Sequence, residues 1–208
     1  MPRSKNQPER REQIIEALKA EMAEAGYAGA SVQKIAKRAG LTAGLIHYHF
    51  KSKQEILIAL VERLTGDLAE RLDSLQPDLP DQSGPLDGLI DAWLSLGPGA
   101  DPQSVACWVQ IGAEALRQPA IRDVYRASIS RAIDAFRAVI EEELGERGRS
   151  SSNAPSIAAA LVARIEGYFH LASAAPDLVP PGSAAENLRA MARGLLLAQP
   201  SDSEGASR

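Results

Sequence analysis

The chain has 208 residues, 45% hydrophobic and 24% charged, enough for one or two packed units. No apolar run reaches about 18 residues and the N-terminus has no apolar stretch, so neither a membrane span nor a secretory leader is expected, and the setting reads as cytoplasmic. A net charge of −4 speaks against nucleic acid, and the single Cys107 excludes an internal disulfide. The charge is unevenly spread, however. Residues 1–63 hold eleven basic and seven acidic side chains, residues 64–208 hold twelve and twenty, and all six lysines lie at or before Lys53. A basic head on an acidic body would give this asymmetry, as would chance clustering with a solvated arm.

Residues 1–7 read as a flexible basic arm. Arg3 and Lys5, with Arg10 and Arg11 just beyond, are either phosphate contacts or solvated charges. Pro8 opens the first helix, with Ile14, Ile15, Leu18 and Met22 as its inner stripe and Gly26 as its end. Ser31 to Phe50 then reads as two short helices joined by a turn. Val32, Ile35, Ala36 and Ala39 mark one face of the first of them, and Gly40 supplies the left-handed residue that closes it. Thr42 is the N-cap of the second. Helix, glycine turn, helix is the layout of a DNA-binding helix-turn-helix over 31–50.

At 100° per residue, Ile46 and Phe50 share the inner face of that second helix, while Gly44 and Tyr48 point almost opposite. Thr42, Ala43, Gly44, Leu45, His47, Tyr48 and His49 are the candidate DNA contacts. Gly44 admits a close backbone, Leu45 suits a thymine methyl, His47 a base edge or phosphate, and Tyr48 a phosphate oxygen. The plainer alternative packs His47 and Tyr48 against a neighbouring helix. Ser52 and Glu55 form a capping box that starts the fourth helix, which carries Ile56, Leu57, Leu60, Val61, Leu64 and Leu68 inward to about Leu75. Lys53 opposes the acidic preference of a first turn, which suits a phosphate shared with the helix amides; otherwise it is an ordinary exposed lysine.

The run Ala39 to Leu57, AGLTAGLIHYHFKSKQEIL, resembles the tetracycline-repressor (TetR/AcrR) family. More than ten positions match its pattern in type and spacing, and the similarity extends from about Gln7 to Leu68. His47, where that family usually carries Tyr, and Ala43 depart from it, which bears on base specificity. The resemblance implies a DNA-binding domain over 8–68, with Lys53 holding DNA, and an effector-binding and dimerisation domain over 69–198.

Beyond a turn-rich break at 76–85, helices are expected at 86–96, 103–118 and 120–144, with a further break at 97–102 and a polar loop at 145–153. Glu141, Glu142 and Glu143 read as a solvated face. The last two helices, 155–173 and 184–198, are Ala-rich and apolar on a wide face. Leu161, Ile165, Ala172, Leu188, Met191 and Leu195 are candidates for a two-fold four-helix interface, or else simply core. The resemblance favours the homodimer. Residues 199–208 read as a flexible tail. No alternating β pattern occurs, so the fold class is all-α, with about nine helices.

Ala106 to Pro119 is loosely similar to the C-terminal domain of the betaine-operon repressor branch of the family. Trp93, Trp108, Tyr125, Tyr168 and Phe169, with His170, are candidates to line a cavity for a small-molecule effector that is otherwise unknown. Aromatic faces would suit a quaternary ammonium, though aromatics on helices are more often core. No catalytic, cofactor or metal constellation is present: His47 and His49 point about 200° apart on a helix and cannot share an ion. The expectation is a homodimeric, ligand-responsive regulator of double-stranded DNA, most simply a repressor. A helical enzyme and an interaction protein with an unused helix-turn-helix are the alternatives.

Overall fold

The computed structural model describes residues 6–75, 84–94 and 101–201. The residues of the expected arm up to Lys5, of the breaks at 76–83 and 95–100, and of the tail from 202 lie outside these. Among the described residues there are nine α-helices: α1 (Asn6–Gly29), α2 (Val32–Arg38), α3 (Ala43–His49), α4 (Lys53–Leu75), α5 (Pro85–Leu94), α6 (Pro102–Ala115), α7 (Pro119–Glu146), α8 (Ala154–Ala174) and α9 (Ser183–Leu197). A single 3-10 turn, Pro176–Leu178, lies between α8 and α9, and one isolated bridge pairs Arg149 with Ser201. No strand is present among the described residues, so the all-α expectation holds.

The helices fall into two compact units. One combines the chain up to Asp67 with Asp101–Arg126; the other combines the described residues from Leu68 to Leu94 and from Ala127 onward. Helices α4 and α7 each run from one unit into the other.

In the first unit the α1 stripe of Ile14, Ile15, Leu18 and Met22 is buried, together with Ile35, Ile46, Phe50, Ile56, Leu57 and Leu60. Gly26 breaks α1 as expected, at φ 70° and ψ 164°. Tyr27–Gly29 add one more turn after it. The break disturbs the backbone ladder, and the Gln110 side chain of α6 spans it. Its oxygen accepts from Tyr27 N–H at 3.1 Å, and its amide donates to the Met22 carbonyl at 3.1 Å. Asp101 caps α6 by accepting from Gln103 N–H at 3.0 Å, and its other oxygen takes Lys19 Nζ at 2.6 Å. Burial alone would raise the Asp101 carboxyl. The bonds from Lys19, Ser104 and Gln103 N–H, with the Lys19 charge, outweigh that and leave it below its ordinary value.

The second unit is an apolar core of α5, α7, α8 and α9, with Ile90, Phe136, Ile140, Leu161, Ile165, Leu188 and Leu196 inside. Phe136 is fully buried, with its ring 6.2 Å from that of Trp93. The acidic run at the end of α7 is not uniformly solvated. Glu141 and Glu142 are exposed, but Glu143 is buried. It accepts from Leu86 N–H at 3.1 Å and Arg147 Nη2 at 2.8 Å, so it serves the otherwise unpaired N-terminus of α5. Gln199, expected to open a flexible tail, is ordered instead. Gln199 is buried and donates to the Leu195 carbonyl at 2.8 Å, and Arg149 donates to the carbonyls of Leu197 and Gln199 at the end of α9.

Candidate nucleic-acid interface

Helix α2 ends as its sequence requires. Gly40 has φ 62°, Leu41 N–H donates to the Ala36 carbonyl at 2.9 Å, and Gly40 N–H donates to Lys37 at 3.2 Å. These two bonds form a Schellman closure, which satisfies carbonyls that would otherwise be orphaned. Thr42 follows as the N-cap of α3, accepting Leu45 N–H at 3.3 Å. The turn between the two helices is therefore fixed from both sides.

On α3, Ile46 and Phe50 are each 1% exposed. Thr42, Gly44 and His47 are exposed, and Tyr48 is 69% exposed. Ala43, Leu45 and His49 are half-buried. A Cβ placed on Gly44 would find only Thr42 Oγ1, at 4.0 Å, so the outer face there is open. The helix thus has one anchored side and one open side carrying hydroxyl, imidazole and apolar groups, which can meet both base edges and phosphates. Burial, with the nearby charges of Arg11 and Arg10, lowers the His49 pKa and disfavours its cationic form.

The capping box at the start of α4 forms in modified shape. Glu55 N–H donates to Ser52 Oγ at 3.2 Å, while the Glu55 carboxylate reaches back one residue further, to Lys51 N–H, at 2.6 Å. Lys53 is not an open cation. Its ammonium donates to the Tyr27 carbonyl at 2.7 Å and lies 4.0 Å from the centre of the Tyr27 ring. Desolvation lowers its pKa, against an opposing pull from Glu114.

Three residues near the start of α1 hold the helix-turn-helix from outside it. Arg11 Nη1 donates to the His49 carbonyl at 2.7 Å and its guanidinium lies 4.1 Å from the Phe50 ring centre. Gln13 donates to the Ala39 carbonyl at 2.6 Å, and Gln7 Nε2 donates to the Tyr48 hydroxyl at 3.3 Å. Sequence reasoning missed Gln7 and Gln13, and treated Arg11 only as a phosphate contact or a solvated charge. No local spacing signals them, because their partners lie 26 to 41 residues away.

The candidate effector residues are divided between the two units. Trp108 and Tyr125 lie in the first, with ring centres 5.1 Å apart and planes tilted by 37°. Trp93, Tyr168 and Phe169 pack on the core of the second, and Arg164 lies over the Tyr168 ring at 5.3 Å. His170 is exposed. The indole N–H of Trp93 is buried and has no partner among the described residues. Of the candidate interface residues, Leu161, Ile165 and Leu188 are spent inside the second unit's own core, while Ala172, Met191 and Leu195 are half-buried. The reason is helical rotation: the most apolar stripe of α8 and α9 faces inward. Their outer stripes are Ala160, Ala163, Gly167 and Leu171 on α8, and Ala190, Gly194 and Leu197 on α9.

A short helix seated by its inner face behind a glycine turn, with its outer face open, defines the DNA-reading class of helix-turn-helix proteins. Residues 14–60 match the model of bacterial regulatory proteins of the tetR family, and residues 84–197, more than half the chain, match that of the BetI-type transcriptional repressor C-terminal region. The chain belongs to the tetR family of transcriptional regulators, with a BetI-type C-terminal region; it is a family of regulators, not of enzymes. It is 30% identical over 128 residues to the HTH-type transcriptional regulator BetI 2 of Chromohalobacter salexigens, a match covering 59% of each chain. The chain thus spans about three fifths of that curated relative's length. A transcriptional regulator from Rhodococcus sp. Rha1 superposes with a TM-score of 0.76 at 25% identity, over 91% of this chain and 97% of that one. A Saccharomonospora viridis regulator solved in complex with choline superposes at 0.74 and 24% identity, over 92% and 97%. Among the described residues no helix is long and apolar enough to cross a membrane.

Proposed function

We propose that the chain is a homodimeric cytoplasmic repressor that inserts α3 into the major groove of a palindromic operator and is released by a small-molecule effector. The observation that supports this best is the two-sidedness of α3, with Ile46 and Phe50 buried and Gly44, His47 and Tyr48 open. Residues 8–68 are assigned to DNA binding, with Thr42, Ala43, Gly44, Leu45, His47, Tyr48 and His49 at or beside the groove and Lys53 on the backbone. Residues 69–198 are assigned to effector binding and dimerisation. Small outer residues such as Ala163, Gly167 and Gly194, beside the exposed Leu197, favour close packing against the same two helices of a second copy. The Trp93 N–H, which has no partner among the described residues, favours an effector that carries an acceptor. The choline bound to the Saccharomonospora regulator makes quaternary ammonium compounds the first to screen by thermal shift.

The test is DNA selection followed by anisotropy titration at several salt concentrations. A selected motif with two-fold symmetry and a specific-to-random affinity ratio above about a thousand is expected. Lys53→Ala should weaken binding to all sequences alike and lower the salt slope by about one. For that, the ammonium must exchange the Tyr27 carbonyl for a phosphate. An unchanged slope would leave Lys53 as an internal brace. Absence of any selected motif would favour an interaction protein with an unused helix-turn-helix.

A further inference from the structure

Seven residues are too few for α3 to hold itself in one pose, since helices shorter than about 12 residues are marginal without tertiary support. Its inner anchors leave two freedoms, rotation about the helix axis and sliding along it. Arg11 acts on both. Its Nη1 meets the His49 carbonyl, an end group that has no partner within the helix, and its positive charge favours that end of the helix dipole. The same guanidinium lies over the ring of Phe50, the residue that closes α3, 4.1 Å from its centre. Gln13 fixes the end of α2 through the Ala39 carbonyl. Gln7 donates to the Tyr48 oxygen, which leaves the hydroxyl hydrogen for an outside acceptor. Burial disfavours a charged His49, and the Arg11 and Arg10 charges reinforce this.

We propose that Arg11 is a positioning residue for sequence recognition: by joining the His49 carbonyl to the Phe50 ring it sets the register of Leu45, His47 and Tyr48 against the bases, without itself neutralising a phosphate. This rests on the DNA-binding reading above and adds to it a determinant that lies outside the recognition helix. Lysine at this position keeps the charge but is a point charge on a flexible stem, without the planar fork that holds the carbonyl contact and the ring contact in one fixed orientation.

The experiment uses the full chain as Arg11→Lys and Arg11→Ala. Both are titrated against the duplex selected by the wild-type protein and against a scrambled duplex, at three salt concentrations, with melting temperatures recorded. In Arg11→Lys the affinity for the selected duplex should fall about tenfold and that for the scrambled duplex less than twofold. The salt slope should stay within about 0.3 of wild type, and a repeated selection should return a degraded motif. Should Arg11→Ala melt below the assay temperature, the lysine variant alone still decides. Equal losses on both duplexes in Arg11→Ala with a slope lowered by about one, restored by lysine, would make Arg11 a phosphate contact and overturn the inference. Wild-type selectivity in both variants would overturn it too. A wild-type protein that does not discriminate the two duplexes would instead sink the parent DNA-binding reading.

Discussion

Both compact units have buried apolar cores, but they differ in the polar contacts added to them. In the first, side chains also reach across to the ends and breaks of helices: Arg11 to His49, Gln13 to Ala39, Gln110 to Met22 and Tyr27, Lys53 to Tyr27. In the second, α5, α7, α8 and α9 meet along their sides through Leu, Ile, Ala and Phe. Polar contacts there serve mainly helix ends, at Leu86 and at the close of α9, with Arg189–Asp91 and Arg193–Asp87 joining α9 to α5. Directional bonds fix orientation, whereas apolar area fixes proximity with less regard to angle. A unit that must present one seven-residue helix at a set angle gains from the first kind. A unit built around a continuous apolar core is served by the second.

The largest expected effect tests the apolar side of this contrast. Phe136→Ala removes a fully buried ring from the core beside Trp93 and should destabilise the protein by about 3–5 kcal/mol. Denaturant unfolding followed by circular dichroism would read this as a lower midpoint at unchanged slope. A loss below about 1 kcal/mol would show that the second unit repacks freely and is not a specified core.

A smaller effect tests the directional side. Asp101→Asn keeps the cap on Gln103 N–H but loses the charge facing Lys19, and should cost roughly 1 kcal/mol at neutral pH, the pair being partly exposed. Its sign with pH follows from the depressed carboxyl. The stabilisation is complete above the ordinary value of 3.8 and disappears as pH falls through the lower folded-state value. The gap in melting temperature between variant and wild type should therefore close in acid. A gap that stays constant from pH 7 to pH 3 would mean that the Lys19 pair contributes nothing.

The same contrast explains what could be read from the sequence. The closure at Gly40, the Thr42 cap and the Ser52 start join residues at most five apart, so spacing alone revealed them. The inner and outer faces of α3 followed from helical rotation applied to Ile46 and Phe50. The stripe of α1 was legible for the same reason. The braces were not, because Gln110 finds the α1 break 83 residues away and Glu143 finds α5 57 residues away. Leu161, Ile165 and Leu188 show the same limit in apolar form. Periodicity marked them as a facing stripe, but it does not distinguish a stripe that faces its own core from one that faces a second copy.

The smallest expected effect on stability is also the most discriminating for function. Gly44 lies in α3 with open space beyond its missing side chain. Folding has no use for a glycine there, since its φ is not in the left-handed region. Glycine in a helix costs about 0.5–1 kcal/mol relative to alanine, less near an end. Gly44→Ala should therefore raise the melting temperature slightly, by an amount equivalent to about 0.5 kcal/mol. If the backbone of α3 comes close to DNA at this point, the added methyl should meanwhile weaken binding to the selected duplex severalfold. A gain in stability paired with a loss in affinity would set the glycine on the groove side, because no folding role predicts that pairing. A variant that is more stable and binds as well as wild type would mean that α3 enters the groove by another edge, and Leu45 and His47 would then have to be reassigned.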